Sequence, residues 1–297
     1  MKKVAPIVIF TFKRLNTLKK CVNSLKNNNL AKKSKIYFFS DGPKNETQKK
    51  NVLKVREYLK RIKGFKEKKI YYRKNNFGLA NNIISGVTKV LNKEEKLIIL
   101  EDDILVSKNF LKFMNLALDN YKKSRKVWHI SGWNYNLDLK IKDDSYFTRG
   151  MNCWGWGTWK NRWKYFEKNP SKIIGSWTIQ QINDFNFDNN INFYSQITRN
   201  LEKSLNTWAV FWYATIFKNK KLCLNPKVSL TKNLGVSSSA TNSKKIEKIF
   251  NTNLKNQNIK KFKFPKKAKE NSLAYEALKR QIKINKAKNL INKLISI

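Results

Sequence analysis

Three consecutive carboxylates, Glu101-Asp102-Asp103, follow a short apolar segment at residues 97–100. Carboxylates repel one another and lose hydration on burial, so three acids at the end of a buried strand need a cation or solvent. The chain has only 20 Asp and Glu residues against 63 Lys and Arg residues. The triplet therefore predicts a divalent metal site at the mouth of an α/β sheet. The alternative interpretation is a solvated turn after the strand.

Strand-like apolar segments alternate with helical segments in the first hundred residues. The strands are predicted at residues 4–10, 36–39, 70–72 and 97–100. This alternation is typical of βαβ units, which form a mostly parallel sheet with helices on both faces. We therefore predict an α/β fold in which the loops after the strands line one edge of the sheet.

Those loops carry side chains that suit a phosphorylated ligand. Thr11 and Arg14 follow the first strand. Asp41 follows the second strand, and Asn76 and Gly78 follow the third. Arg and Asn donors beside carboxylates favour a nucleoside diphosphate with a metal ion. Neither a G-x-G-x-x-G nor a G-x-x-x-x-G-K-[ST] pattern is present, which argues against a dinucleotide site and a P-loop.

Tryptophan is concentrated in two segments of the second half. Trp154, Trp156, Trp159 and Trp163 lie within ten residues, and Trp208 lies in a second aromatic segment. A Trp ring can stack on a sugar or a base, or it can simply fill the core. We expect Trp159 and Trp163 to pack from one helix face. The glycine-rich start of the first segment is predicted to face a ligand, and the second segment is helical in period and expected to be mostly core.

The remaining chemically active residue types indicate structural roles. His129, the only histidine, lies in a predicted strand at residues 127–130 and has no apparent dyad partner, so we interpret it as a packed residue. The three cysteines are odd in number and widely spaced, which is typical of free thiols in a reducing compartment. The apolar run at residues 4–10 is too short for a signal peptide, and no run of about 18 apolar residues exists. We expect a cytoplasmic protein.

The net charge of +43 favours an anionic partner. Residues 243–297 hold 16 Lys and Arg residues against three Glu residues, and a basic amphipathic helix is predicted from about Ser272. Such a helix suits an anionic membrane surface on the inner face of the cell membrane. The alternative is a helix that packs back on the domain. The rival function is nucleic-acid binding, but the aromatic segments are not the most basic ones, so we expect no nucleic acid.

Together these segments resemble the GT-A glycosyltransferases. The bacterial lipopolysaccharide and capsule transferases related to the Golgi alpha-mannosyl-glycoprotein N-acetylglucosaminyltransferase are the most similar. The resemblance covers roughly residues 4–240 and rests on residues 9–14, Ser40-Asp41-Gly42, the triplet, residues 154–159 and Gly235-Val236-Ser237. It implies a GT-A, Rossmann-like fold with a nucleotide-sugar half (residues 1–135), an acceptor half (136–242) and a basic helical tail (243–297).

The resemblance also implies an activity and roles for the site residues. The implied reaction is transfer of a hexosyl or N-acetylhexosaminyl group from a UDP-linked donor to a hydroxyl of a surface glycan or lipid-linked glycan, with inversion and with Mn²⁺ or Mg²⁺. In the DXD-type triplet, Asp103 would bind the metal, and Glu101 and Asp102 would contact the sugar and ribose. Arg14 and Asp41 would hold the uracil–ribose end. The remaining donor contacts would be Thr11, Asn76, Gly78 and Ser237, and the contacts to the acceptor would be Trp154, Trp156 and Trp208.

The catalytic base is not identified by this resemblance. The family places Asp-Asp-Trp before the second aromatic helix, whereas this chain has Asn206-Thr207-Trp208, and neither Asn nor Thr is a base near neutral pH. The candidates left open in the acceptor half are Glu202, Asp188, Asp184 and Asp144. A nucleotidyltransferase with the same sheet and metal is a further alternative, although residues 11–14 lack the glycine-rich loop usual for that class.

Overall fold

The computed structural model describes residues 3–235, 254, 259 and 261–295, with side chains up to residue 284. Its first half is a parallel sheet of four strands connected by helices. The strands are β1 (Ile7–Thr11), β2 (Lys35–Ser40), β3 (Glu67–Tyr72) and β4 (Lys96–Glu101). The connecting helices are α1 (Leu15–Lys26), α2 (Glu46–Arg61) and α3 (Gly78–Leu91). The predicted strands and helices of this half are confirmed, with boundaries that differ by a few residues.

The second half extends the same sheet. It adds β6 (Val127–Ser131), β7 (Ser145–Thr148), β8 (Trp156–Trp159) and β9 (Leu222–Pro226). The order across the eight-stranded sheet is β3-β2-β1-β4-β8-β6-β9-β7. β8 is antiparallel to both of its neighbours, β6 and β9 are parallel, and β7 is antiparallel to β9. The predicted α/β fold with a mostly parallel sheet is therefore confirmed, and β4, β6 and β9 all point towards one edge.

The remaining elements surround this sheet. A two-stranded antiparallel sheet joins β5 (Ile104–Val106) to β10 (Thr231–Asn233). The other helices are α4 (Phe110–Asn120), α5 (Lys160–Trp163), α6 (Pro170–Ile174), α7 (Ile179–Phe185), α8 (Tyr194–Leu201), α9 (Ala209–Lys218) and α10 (Ser272–Ile295). Within the described part of the chain, none of the helices combines the length and the apolarity that a membrane span requires.

Successive side chains of the central strands point to opposite faces of the sheet, and a hydrophobic core lies on each face. Ile7 and Ile9 of β1 pack on the side of α1, α2 and α4. Val8 and Phe10, which point the other way, pack on the side of α3 and α9. Because both faces are covered, the central strands are continuous apolar runs, and their polar residues are confined to their ends.

Trp159 does not lie in a helix as predicted. It is the last residue of β8 and pairs with Lys96 of β4, and α5 begins at the next residue. Its indole Nε1 donates a hydrogen bond to the Leu118 carbonyl over 3.1 Å. Trp159 and Trp163 are nevertheless both buried, as expected for packing residues.

The described part of the basic tail packs on the domain. Phe262 and Phe264 lie against Phe113 of α4, with ring centroids 5.1 and 5.4 Å apart. Tyr275 of α10 stacks on Phe187 at 5.4 Å. Arg149 and Glu270 form an ion pair with a 2.7 Å contact. The alternative of a helix that packs back therefore holds for residues 261–284.

His129 is a fully buried residue of β6, which confirms the packing interpretation. Its Nε2 donates to the Asn152 carbonyl at 3.0 Å, and its Nδ1 accepts from Trp212 Nε1 at 3.2 Å. This arrangement requires the neutral ring, and burial lowers the pKa of His129 to about 3. The three cysteines are free, as predicted.

His129 is expected to make the fold sensitive to acid. Below pH 6.5 the unfolded chain binds a proton on this ring that the folded chain cannot, so the free energy of unfolding should fall by about 1.4 kcal/mol per pH unit. Urea unfolding of the wild type and His129→Gln at pH 7 and pH 5 measures this contribution. Between pH 7 and pH 5, the free energy of unfolding of His129→Gln should fall by about 2 kcal/mol less than that of the wild type. Parallel pH dependences would contradict the assignment, whatever the variant's stability at pH 7.

Candidate functional site

The carboxyl ends of β1–β4 enclose a cavity of about 350 Å³. Seven of the predicted site residues line it: Thr11, Arg14, Asp41, Asn76, Gly78, Glu101 and Asp102. Lys13 and Lys44 also line the cavity and were not predicted from the sequence. The parallel strands bring these residues together because their carboxyl ends share one edge of the sheet.

Asp41 fastens two of the loops that form this cavity. Its Oδ1 accepts hydrogen bonds from the Gly42 amide at 2.9 Å and the Phe77 amide at 2.8 Å. Its Oδ2 accepts one from Asn76 Nδ2 at 3.2 Å. At Gly42 a Cβ would lie 2.4 Å from the carbonyl carbon of Asn75, so the two loops can approach only at glycine. The Ser-Asp-Gly sequence therefore connects the loops after β2 and β3 through hydrogen bonds and close backbone packing.

The acidic triplet is held by contacts from the loop after β1. Asp102 Oδ2 accepts from the Phe12 amide at 3.1 Å, and Asp102 Oδ1 accepts from Arg14 Nη2 at 2.7 Å. The same Arg14 nitrogen lies 2.9 Å from Asp103 Oδ2. Burial, reinforced by the charges of Asp103 and Asp102, raises the pKa of Glu101 to about 8. Burial also raises the pKa of Asp102 to about 6, against the opposing effect of Arg14.

The donor atoms at the triplet fit a hard divalent cation. Asp103 Oδ1 is buried and has no hydrogen-bond partner, and carboxylate oxygen is a preferred ligand of Mg²⁺ and Mn²⁺. Across the described residues, no group of three or more His, Cys, Asp and Glu side chains is arranged to hold a metal. Mg²⁺ in proteins is usually held by one or two carboxylates together with substrate phosphates and water.

The pairing of β5 with β10 brings a second segment to Asp103. The Leu234 amide donates to the Asp103 carbonyl at 2.8 Å. A Cβ on Gly235 would lie 2.7 Å from Asp103 Oδ2, so a side chain at this position would displace the carboxylate. The predicted Gly-Val-Ser loop therefore begins beside the triplet, while Ser237 lies outside the described residues.

An aromatic cluster lies at the same edge, beyond β6. Trp154 is partly exposed and meets Trp133 edge-to-face, with ring centroids 4.7 Å apart. Trp133 in turn contacts Tyr135 at 4.6 Å. Trp133 and Tyr135 were missed in the sequence. The signal that could have found them is their position just after Gly132 and the carboxyl end of β6.

Trp156 and Trp208 do not have the predicted exposure to an acceptor. Their side chains are 1% and 3% exposed and stack on each other at 5.1 Å. Trp156 also lies parallel to the His129 ring at 5.4 Å. Both belong to the core between β8 and α9, because that layer needs large apolar side chains to fill it.

None of the four candidate bases lines the cavity. Asp184 lines a separate cavity at the amino end of β9, the edge opposite to the triplet. Asp188 is paired with Lys279 at 2.6 Å, and Glu202 is exposed at the end of α8. Asp144 lies at the same edge as the triplet, but β7 is four strands from β4, or about 19 Å. Its carboxylate accepts from the Lys263 amide at 2.7 Å.

Most of the chain matches the sequence profile of one protein family. Residues 7–223 match the profile of Glycosyl transferase family 2. The chain belongs to this family. The matched segment of this family 2 glycosyltransferase runs from β1 into β9 and includes every residue that lines the cavity. The α/β fold, with a mainly parallel sheet flanked by helices, is the GT-A architecture that the resemblance implied.

Solved structures and curated sequences extend the comparison of this family 2 glycosyltransferase. GalNAc-T7, crystallised with UDP, GalNAc and Mn²⁺, is 13% identical over 76% of this chain and 43% of that chain, with a TM-score of 0.45. TarS of S. aureus is 15% identical over 42% of this chain and 21% of that chain, with a TM-score of 0.30. The chain thus spans less than half the length of either protein. No curated protein sequence matches it.

Proposed function

We propose that this protein transfers a hexosyl or N-acetylhexosaminyl group from a UDP-linked sugar to a hydroxyl of a bacterial surface glycan, of lipopolysaccharide or capsule type, or its lipid-linked precursor. The observation that carries the proposal is the position of the unpartnered Asp103 oxygen beside a cavity lined by Arg14, Lys13 and Lys44. Carboxylate oxygen for a cation and basic groups for phosphate are the two requirements of a nucleotide-diphosphate leaving group.

The residues that line the cavity, together with Asp103 next to them in the chain, would each contact a different part of the donor. Asp103, with Asp102 beside it, would hold Mn²⁺ or Mg²⁺, which when bound neutralises charge on the departing diphosphate. Thr11, whose Oγ1 is buried without a hydrogen-bond partner, lines the cavity and would contact the donor. Asp41 and Asn76, fixed to each other, form the wall for the nucleoside. Glu101 is the sugar-side acid in this arrangement.

The acceptor is proposed to bind beyond the triplet. Trp154 is partly exposed and lies edge-to-face against Trp133, and Trp side chains can stack on sugars. We propose inversion at the anomeric carbon, with the base supplied by a group other than the four acids considered above. The anomeric configuration of the product tests this part directly.

The donor proposal predicts a specific thermal shift. UDP-sugars at about 100 times their Kd stabilise the protein by about 2.7 kcal/mol, which corresponds to roughly 5 °C in Tm for a chain of this size. The shift should require Mn²⁺ and should be smaller with GDP- or CMP-linked sugars. Stabilisation by single-stranded or duplex nucleic acid, with steep salt dependence and no response to UDP-sugars, would support the rival function instead.

We further propose that the protein is cytoplasmic and sits on the inner face of the cell membrane through the end of α10. Residues 286–297 contain three lysines and no acid among Leu, Ile and Asn residues. Basic residues beside apolar ones favour the surface of an anionic bilayer. A lipid-linked acceptor would be presented at that surface.

A further inference from the structure

One nitrogen of Arg14 lies between the two carboxylates that would receive a cation. Arg14 Nη2 is 2.7 Å from Asp102 Oδ1 and 2.9 Å from Asp103 Oδ2. The Arg14 side chain is 47% exposed, whereas those of Asp102 and Asp103 are 4% and 9% exposed. The guanidinium therefore reaches a buried acidic pair from the solvent side of the cavity.

The Asp102 side chain and the Asp103 backbone each have an anchor besides Arg14. Asp102 is anchored by the Phe12 amide through its other oxygen, and the Asp103 backbone is anchored by the Leu234 amide. Arg14 itself precedes α1 and makes no side-chain cap to that helix. Arg14 is thus the solvent-exposed partner of the cluster, and the two carboxylates are the buried partners.

One guanidinium neutralises only part of the negative charge of Asp102 and Asp103. It brings a single positive charge to two adjacent carboxylates and leaves Asp103 Oδ1 without a partner. A divalent cation would bring two charges and could use that oxygen. Arg14 also lines the cavity that would contain the diphosphate, so an alternative anionic partner for it lies within the same site.

We propose that Arg14 holds the cation position between Asp102 and Asp103 in the ligand-free protein and transfers to the diphosphate when nucleotide binds. This inference rests on the proposed function. A metal ion that enters alone must displace Arg14 without giving it a new partner. Nucleotide supplies that partner, so metal and nucleotide should bind with positive coupling, and each should raise the affinity for the other by the same factor.

The test is Mn²⁺ binding to the full chain, measured by electron paramagnetic resonance of the free ion with and without UDP. Arg14→Gln should bind Mn²⁺ alone about tenfold more tightly than the wild type, because the competing positive charge is gone. Lys13→Gln is the matched control, since Lys13 lines the same cavity without an ion pair to the triplet. It should change the affinity for Mn²⁺ alone by less than about threefold. UDP should strengthen Mn²⁺ binding in the wild type more than in Arg14→Gln.

A second measurement protects the test against misfolding. Mn²⁺ without nucleotide should raise the Tm of Arg14→Gln more than that of the wild type. In the variant, Asp102 and Asp103 no longer have the positive charge of Arg14 beside them. Equal or weaker Mn²⁺ binding by Arg14→Gln, in a protein that still binds Mn²⁺ and UDP together, would overturn this inference and leave the proposed function standing. Failure of every variant to bind Mn²⁺ even with UDP would overturn the inference and the metal part of the function together.

Discussion

Asp103→Asn is expected to reduce sugar transfer by about 10² to 10³-fold, the usual loss when one preorganised electrostatic group is removed from a reacting site. The amide keeps the size of the side chain but not the negative charge that a cation requires. Because one of several like charges leaves a buried cluster, the fold should not be destabilised. Initial rates over a Mn²⁺ titration and thermal unfolding measure the two effects separately.

Asp119→Asn provides the matched control for this substitution. Asp119 is also a largely buried acid with a cationic partner, Lys96, at 2.6 Å, but it lies at the opposite edge of the sheet. It should leave the rate of transfer within about twofold of wild type. An Asp103→Asn protein that retains full rate at every Mn²⁺ concentration would rule out Asp103 as the metal-binding residue.

Ending the chain at residue 260 is expected to prevent stable folding. Among the residues whose side chains are described, the domain would lose five buried apolar side chains: Phe262, Ala274, Tyr275, Leu278 and Ile282. The four large ones contribute roughly 6 to 12 kcal/mol at about 1.5 to 3 kcal/mol each, which is comparable to the whole stability of an ordinary domain. Urea unfolding should show no cooperative transition in this variant. A transition like that of the full chain would show that the contacts of residues 261–284 contribute little.

A chain that ends at Ile284 is the appropriate comparison for membrane binding. It keeps the packed part of α10 and lacks Lys286, Lys288 and Lys293. At about 1 kcal/mol for each basic residue near an anionic surface, its binding to vesicles with phosphatidylserine should fall roughly 100-fold. Neutral vesicles should not distinguish the two chains. Equal flotation with anionic vesicles would remove the end of α10 from the function.

The first half of the fold could be predicted because its signals are local. Each of the strands β1–β4 contains a short apolar run, which in β3 is only Ile70-Tyr71-Tyr72, and each is followed by polar residues at the edge where ligands bind. Seven of the predicted site residues accordingly meet in one cavity. What the pattern did not show is that Asp41 also fixes a loop 36 residues further along, through the Phe77 amide. That contact forms only because the folded chain brings the loop after β2 close to the loop after β3.

The second half was harder because its decisive contacts are distant in sequence. Trp159 has the helical spacing to Trp163, yet pairing with Lys96 places it in a strand. Trp156 and Trp208 are in the core because they stack across 52 residues. The periodicity of α10 shows an apolar stripe but not whether a protein surface or a membrane covers it. Nothing local identifies the catalytic base, since neither the chain pattern nor the cavity lining singles out an acid on the acceptor side.

The insertion of β8 between β4 and β6 bears on how the chain is synthesised. β6 leaves the ribosome before either of its neighbours, since β8 begins at Trp156 and β9 at Leu222. At about 5 to 20 residues per second, roughly 5 to 20 s separate the synthesis of β6 from that of β9. During translation up to β8, β4 also has an open edge that can pair with another chain. Nascent chains of this protein thus pass through a stage in which β4 and β6 have both been synthesised and the strand that separates them in the sheet has not.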